Sequence, residues 1–202
     1  MTRLFAALAT AGLVLAGCGG GGSSSGRSST SVPSSSQTGP AGTVTAPIRF
    51  GSAPASITLS SPAFAAGSTI PSLYTCSGRD ISPPLRWSGV PAGTRELALE
   101  LIDPDAPGGP FLHWALARIP PTVRTLAAGE STPPGSVAGT NSFGRIGYGG
   151  PCPPPGAKAH RYVFVLLALR SPAEVSRGFG AGAVPVSRAT ALGELQATFG
   201  RP

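Results

Sequence analysis

The chain has 202 residues and a net charge of +7, with Gly (29) and Pro (23) abundant, charged residues at 11% and aromatics at 6%. That length suits one domain or two, and the Gly/Pro balance favours many short strands and turns, which excludes an all-helical fold. The basic excess does not read as a nucleic-acid site. Lys158 is the only lysine, the arginines are scattered from Arg27 to Arg201, and no basic run with interleaved aromatics occurs.

In chain order, Arg3 precedes an apolar run from Leu4 to Ala16, too short to span a bilayer but with the charged start and hydrophobic middle of a secretory signal. The run ends in Leu15-Ala16-Gly17-Cys18, which resembles the bacterial lipoprotein box whose cysteine becomes the acylated first residue. Residues 1–18 are therefore expected to be a lipoprotein signal with lipid on Cys18. The protein is then exported and lipid-anchored in the bacterial envelope, on the outer face of the cytoplasmic membrane or in the periplasm. Residues 19–52 are mostly Gly, Ser, Thr and Pro with little to bury, a composition that predicts a disordered tether, and the folded domain is placed at 53–202.

Within that domain, turn residues break up short apolar stretches at Ile57–Leu59, Glu96–Ile102, Leu112–Ile119 and Tyr162–Leu169, each expected to be a strand. Leu97, Leu99 and Leu101 alternate with Glu96, Ala98 and Glu100, the pattern of a half-buried strand, whereas Val163–Leu169 is apolar without a break and predicts a central one. Near the end, Ser187 precedes Ala189, Leu192, Leu195 and Phe199 at helical spacing, with Gly200 as a stop, and predicts a helix. Cys76 and Cys152, an even pair in an exported domain, are expected to form a disulfide. The sharper alternative is a Cys152–His160 nucleophilic dyad.

The chain has only two histidines, and both sit beside unusual local sequence. His113 follows Asp103-Pro104-Asp105-Ala106-Pro107 and precedes Trp114, and His160 opens His160-Arg161-Tyr162 after the loop Gly147-Tyr148-Gly149-Gly150-Pro151-Cys152-Pro153-Pro154-Pro155-Gly156. With Tyr74–Gly78, Ile81-Ser82-Pro83-Pro84-Leu85-Arg86-Trp87, Asn141-Ser142-Phe143-Gly144 and Glu194-Leu195, these motifs fall in the order and spacing of a known family. Together they resemble the phosphatidylethanolamine-binding proteins, specifically their bacterial Raf-kinase-inhibitor-like branch, over most of residues 57–201. Two departures stand out: Ser77 replaces a usual acidic residue, and a Gly-rich stretch from Arg177 to Ala183 stands where a helix is usual.

The resemblance implies a mainly β fold, a two-sheet, mostly antiparallel Greek-key domain with a few short peripheral helices. It implies a small pocket for phosphate, phosphoethanolamine or acetate, a ligand set of Asp103, Asp105, His113, Gly150, Pro151, Pro153, Pro154, His160 and Tyr162, and no cofactor or metal. Partners implied are a small anionic or phospholipid-headgroup ligand, the membrane through Cys18, and an unidentified protein. Chemically, the prolines lack N–H groups, so donors from the loop are expected from Gly149, Gly150 and Cys152, joined by the imidazoles and the Tyr162 hydroxyl. Two carboxylates beside a bound phosphate repel it unless a proton is taken up, so binding is expected to strengthen on acidification. The competing readings are a hydrolase using Asp103, His113 and His160 as metal ligands or acid and base, and a structural disulfide-stabilised envelope domain.

Overall fold

A computed structural model describes residues 51–202. The expected signal, Cys18 and residues 19–50 of the expected tether lie outside the described residues.

Among the described residues, eight strands make two antiparallel sheets. A three-stranded sheet is formed by β1 (Thr58–Ser60), β2 (Leu85–Ser88) and β5 (Thr125–Leu126), in the order β1-β2-β5. The five-stranded sheet contains β3 (Glu96–Asp103), β4 (Phe111–Ile119), β6 (Val137–Ala138), β7 (His160–Leu169) and β8 (Ala189–Phe199), in the order β6-β4-β3-β7-β8. After β6 the chain returns along a long connection to lay β7 beside β3, so β7-β3-β4-β6 is the Greek-key arrangement. The helices among the described residues are two single 3-10 turns, Ser72–Tyr74 and Val186–Arg188.

Alternation along the strands sorts apolar side chains into two layers. Leu97, Leu99, Leu101, Trp114, Leu116, Tyr162, Phe164 and Leu166 face the small sheet and meet Leu59, Leu85 and Trp87. Ala98, Ala115, Ala117, Val163, Val165, Leu167, Leu169 and Leu192 face outward and are covered in part by Phe179 and Val184. Both faces of β7 are thereby dry, which explains its unbroken apolar run. β3 departs from the half-buried expectation for the same reason. Its outward Glu96 is buried and satisfied, accepting the Arg118 and Ala173 backbone N–H groups at 3.0 and 2.9 Å.

The helix expected from Ser187 to Phe199 is instead β8, preceded by the 3-10 turn that contains Ser187. Leu195, Ala197 and Phe199 enter the inner layer and Leu192 the outer, while Glu194 and Gln196 are exposed; with the buried Ala191, Gly193 and Ala197 so small, the large apolar residues alone show the 192–195–199 spacing that reads as helical. Although β8 ends the sheet, its free edge is largely used. Pro54 and Ile57 exchange backbone hydrogen bonds with Leu192, and the Gly67–Ile70 segment bonds Gln196 and Thr198, which blunts the edge against pairing with another chain.

Candidate functional site

Three strands converge at one end of the large sheet. β3 runs antiparallel to both β4 and β7, so its last residue, Asp103, meets the starts of those two strands, where His113 and His160 lie. Between β3 and β4 the register shifts: Leu101 pairs with Trp114 and Ile102 with Leu112, leaving His113 as the unpaired residue. A bulge of this kind re-aims a side chain out of the ladder. Here it turns His113 toward the strand ends.

The polar contacts fix how both imidazoles stand. His160 Nδ1 lies 2.7 Å from Asp103 Oδ2 in a buried pair, and Asp103 Oδ1 accepts the Asp105 N–H at 2.8 Å. His113 Nδ1 lies 2.8 Å from the Gly149 carbonyl and 3.1 Å from the Gly150 carbonyl. Carbonyls only accept, so His113 carries its proton on Nδ1 and leaves Nε2 as a lone pair when neutral. A carboxylate partner imposes the same tautomer on His160. Burial pushes the His113 pKa below its ordinary value, against the opposing pull of the two carbonyls and of the Asp103 and Asp80 charges.

Around these groups lies a pocket of about 240 Å³, lined by Asp103, His113 and His160 as its ionisable groups and walled by Phe111, Phe143 and the prolines 107, 153 and 154. A second depression, about 280 Å³ and lined by Arg86 and Glu130 with apolar neighbours, lies on the β2–β5 side. Its Glu130 is already engaged by the Ala127 N–H, so size alone does not mark the site. The Tyr162 hydroxyl is buried close to Asp103 and the Cys152 N–H without completing a hydrogen bond to either. Burial, then the Asp103 charge, drives its pKa far up, so it stays a protonated donor.

Other expected residues are placed differently. Asp105 turns its carboxylate to Arg161, accepting from Nε at 2.9 Å, Nη2 at 2.6 Å and the backbone N–H at 2.9 Å, and the Arg161 hydrogen bond holds its pKa down. Gly150 and Pro151 stand behind the pocket wall, Gly150 donating its N–H to Asp80 Oδ1 at 2.6 Å and Pro151 offering its carbonyl to the Cys76 N–H. Two of the three expected loop donors are thus committed elsewhere, since the Gly149 N–H goes to the His113 carbonyl, while Cys152 remains in the pocket lining. Residues unassigned from sequence include Phe111 and Phe143, whose rings pack at 5.0 and 5.4 Å from that of His113, and Asp80. Phe143 stands in a recognised motif, but nothing in the local pattern marks it as a wall.

A family profile of phosphatidylethanolamine-binding proteins matches residues 60–199. The chain belongs to the phosphatidylethanolamine-binding protein family. A Mycobacterium tuberculosis protein named as a lipoprotein, LppC, is 45% identical over 166 residues, covering 80% of this chain and 78% of its own. Escherichia coli YbcL, a solved member of the family, superposes with a TM-score of 0.69 at 32% identity, covering 73% of this chain and all of its own. A phosphatidylethanolamine-binding protein homologue from Chlamydia trachomatis gives 0.67 at 35%, again over 73% of this chain.

In this family member the pocket wall is clamped from behind. Cys152 is disulfide-bonded to Cys76 with Cα atoms 5.4 Å apart, and the Tyr148 hydroxyl donates to the Tyr74 carbonyl at 2.6 Å. With its sulfur in a disulfide, Cys152 cannot serve as the thiolate of a Cys152–His160 dyad, which removes that reading. Among the described residues no three His, Cys, Asp or Glu side chains are gathered to hold a metal ion.

Proposed function

We propose that this chain is an envelope lipoprotein, anchored through Cys18, whose domain binds without turnover a small ligand bearing a phosphate or phosphoethanolamine-like acid group. The observation that carries this reading is the convergence of Asp103, His113 and His160 on one apolar-walled pocket, with Tyr162 buried beside them as an unpaired donor. The lipoprotein named among its relatives supports the anchoring. Absence of turnover is supported by the nucleophiles near the pocket: Cys152 is a disulfide and Tyr162 is held protonated.

The tautomers give the binding reaction a sign. Both neutral imidazoles offer Nε2 lone pairs to the pocket, and Asp103 adds a carboxylate, so the empty site is rich in acceptors. An acid group binds there only with a proton, on its own oxygen or on an imidazole. Affinity for O-phosphoethanolamine therefore rises as pH falls from about 8 to about 6, the interval in which a phosphate monoester takes up its second proton. Titration calorimetry at those two pH values tests this, with His113→Ala and His160→Ala each expected to weaken binding. Binding that is indifferent to pH and normal in both variants overturns the proposal. Release of phosphate from a phosphoester would overturn its non-enzymatic part. The resemblance also implies a protein partner, and the exposed Phe143 at the pocket rim is where such a partner would sense occupancy.

A further inference from the structure

Asp80 lies outside the pocket, yet its side chain reaches the site through a single peptide group. The carboxyl oxygen Oδ1 accepts the Gly150 N–H at 2.6 Å, while the carbonyl at the other end of that same peptide, Gly149 C=O, accepts the His113 Nδ1–H at 2.8 Å. In a trans peptide the N–H and C=O point in opposite directions, so the two bonds lie head to tail across one planar unit. We infer that Asp80 is a positioning residue: by holding the Gly149–Gly150 peptide it keeps the His113 proton on Nδ1 and turns Nε2 to the ligand. This rests on reading the pocket as a ligand site.

Three features show that the arrangement is built for this contact. Asp80 has φ 55°, an uncommon region for a side-chain-bearing residue that Asp and Asn tolerate best, so the backbone is bent to present the carboxylate. Gly150 sits so close that a Cβ would stand 2.5 Å from the Tyr74 carbonyl oxygen and 2.6 Å from Asp80 Oδ1; only glycine brings its N–H there. The segment carrying Asp80 is tied to the loop again by the Cys76–Cys152 disulfide and by the Cys76 N–H on the Pro151 carbonyl at 3.1 Å. A purely structural clamp was already available, and Asp80 adds a charge to it.

That charge matters because a carboxylate on the N–H polarises the amide and makes its carbonyl a better acceptor for the imidazole N–H. The effect favours the protonated ring, in line with the upward pull of Asp80 on a pKa that burial lowers. Arg145, 3.4 Å from Asp80 Oδ2 with an exposed side chain, moderates the charge weakly. The other groups facing His113 are Asp103 from β3, the Tyr162 ring from β7 at 5.3 Å, and His160 across the pocket.

Nitrogen-15 NMR of the full chain in detergent micelles reads the tautomer and titration of His113 directly, without ligand. Asp80→Gly suits the backbone and deletes the acceptor; it should populate the second tautomer and lower the His113 pKa. Asp80→Asn keeps an oxygen acceptor without charge and should restore the tautomer while the pKa stays low. Phosphate affinity at pH 6 should fall roughly five- to tenfold in Asp80→Gly, the size of one lost positioning hydrogen bond. A folded Asp80→Gly protein in which His113 keeps its tautomer and its titration overturns the inference. Failure of wild-type protein to bind phosphate would instead count against the ligand site, with the NMR readout still deciding the role of Asp80.

Discussion

Replacing Asp103 by asparagine separates charge from shape in the pocket, and the structure predicts a gain of binding. Asp103 Oδ1 accepts the Asp105 backbone N–H, a donor with no second proton state, so the single oxygen of an asparagine must stay there. The amide NH₂ then faces His160 Nδ1, now 2.7 Å from Oδ2, and two donors cannot meet. The His160 proton moves to Nε2, which changes from acceptor to donor toward the ligand. A negative charge also disappears at a distance of about 7 Å from a phosphate bound at Nε2, which at an effective dielectric of about 20 to 50 is worth on the order of 1 to 2 kcal/mol. Inorganic phosphate should bind Asp103→Asn roughly five- to thirtyfold more tightly than wild type at pH 8. The gain should shrink toward pH 6, where wild type takes up the proton for itself. The cost falls on stability, because one charge-assisted hydrogen bond becomes neutral, a loss of about 1 kcal/mol in urea unfolding. Calorimetry at pH 8 decides the matter. Equal or weaker phosphate binding by a folded Asp103→Asn protein refutes both the tautomer assignment and the electrostatic account.

Acid should destabilise the domain through His113. Its pKa is lowered on folding, so the unfolded chain takes up the proton first, and the contribution present above about pH 6.5 is lost as pH falls through that value. The urea midpoint should drop between pH 7 and pH 5, and less so in His113→Gln; an equal drop in both removes His113 as the cause. Cys152→Ser opens a cross-link between residues 76 apart in sequence, worth about 4 kcal/mol in the chain-entropy model, and should lower the urea midpoint to match that of the reduced wild type. Asp105→Ala should change phosphate affinity less than about twofold, since that carboxylate is turned to Arg161, and should cost less than about 1 kcal/mol because the pair is partly exposed. A large affinity change on calorimetry would place Asp105 in the pocket after all.

What could be read from the chain depended on whether the signal was local. The strands carried by Glu96–Ile102 and Tyr162–Leu169 announce themselves by alternation or by a solid apolar run, and the motifs around Asp103, His113 and His160 are short and contiguous. β8 reads as a helix because its buried Ala191, Gly193 and Ala197 are too small to mark the alternation, which leaves Leu192, Leu195 and Phe199 as the visible period. Asp105 and Gly150 were assigned to the ligand by motif, yet their partners, Arg161 and Asp80, lie 56 and 70 residues away. No spacing rule carries a tertiary hydrogen bond of that span. The bulge at His113 is equally silent in sequence, since it depends on the register between β3 and β4.

The location of the pocket follows from the same limits on backbone pairing. Inside a sheet the main-chain N–H and C=O groups are consumed by the ladder, and a dry two-sided strand such as β7 leaves no main-chain polar group to spare. Polar chemistry can therefore collect only where pairing stops: at Asp103, which ends β3; at His113, which the register leaves unpaired; and at His160, which begins β7. The Gly-Pro loop then supplies what the sheet cannot. Its glycine carbonyls take an imidazole N–H while the loop itself is held by the Gly150 N–H on Asp80 and the Gly149 N–H on the His113 carbonyl. Shifting β4 by one residue would keep every residue type in place and still bury the His113 Nε2 lone pair among hydrocarbon, so the site depends on register as much as on composition.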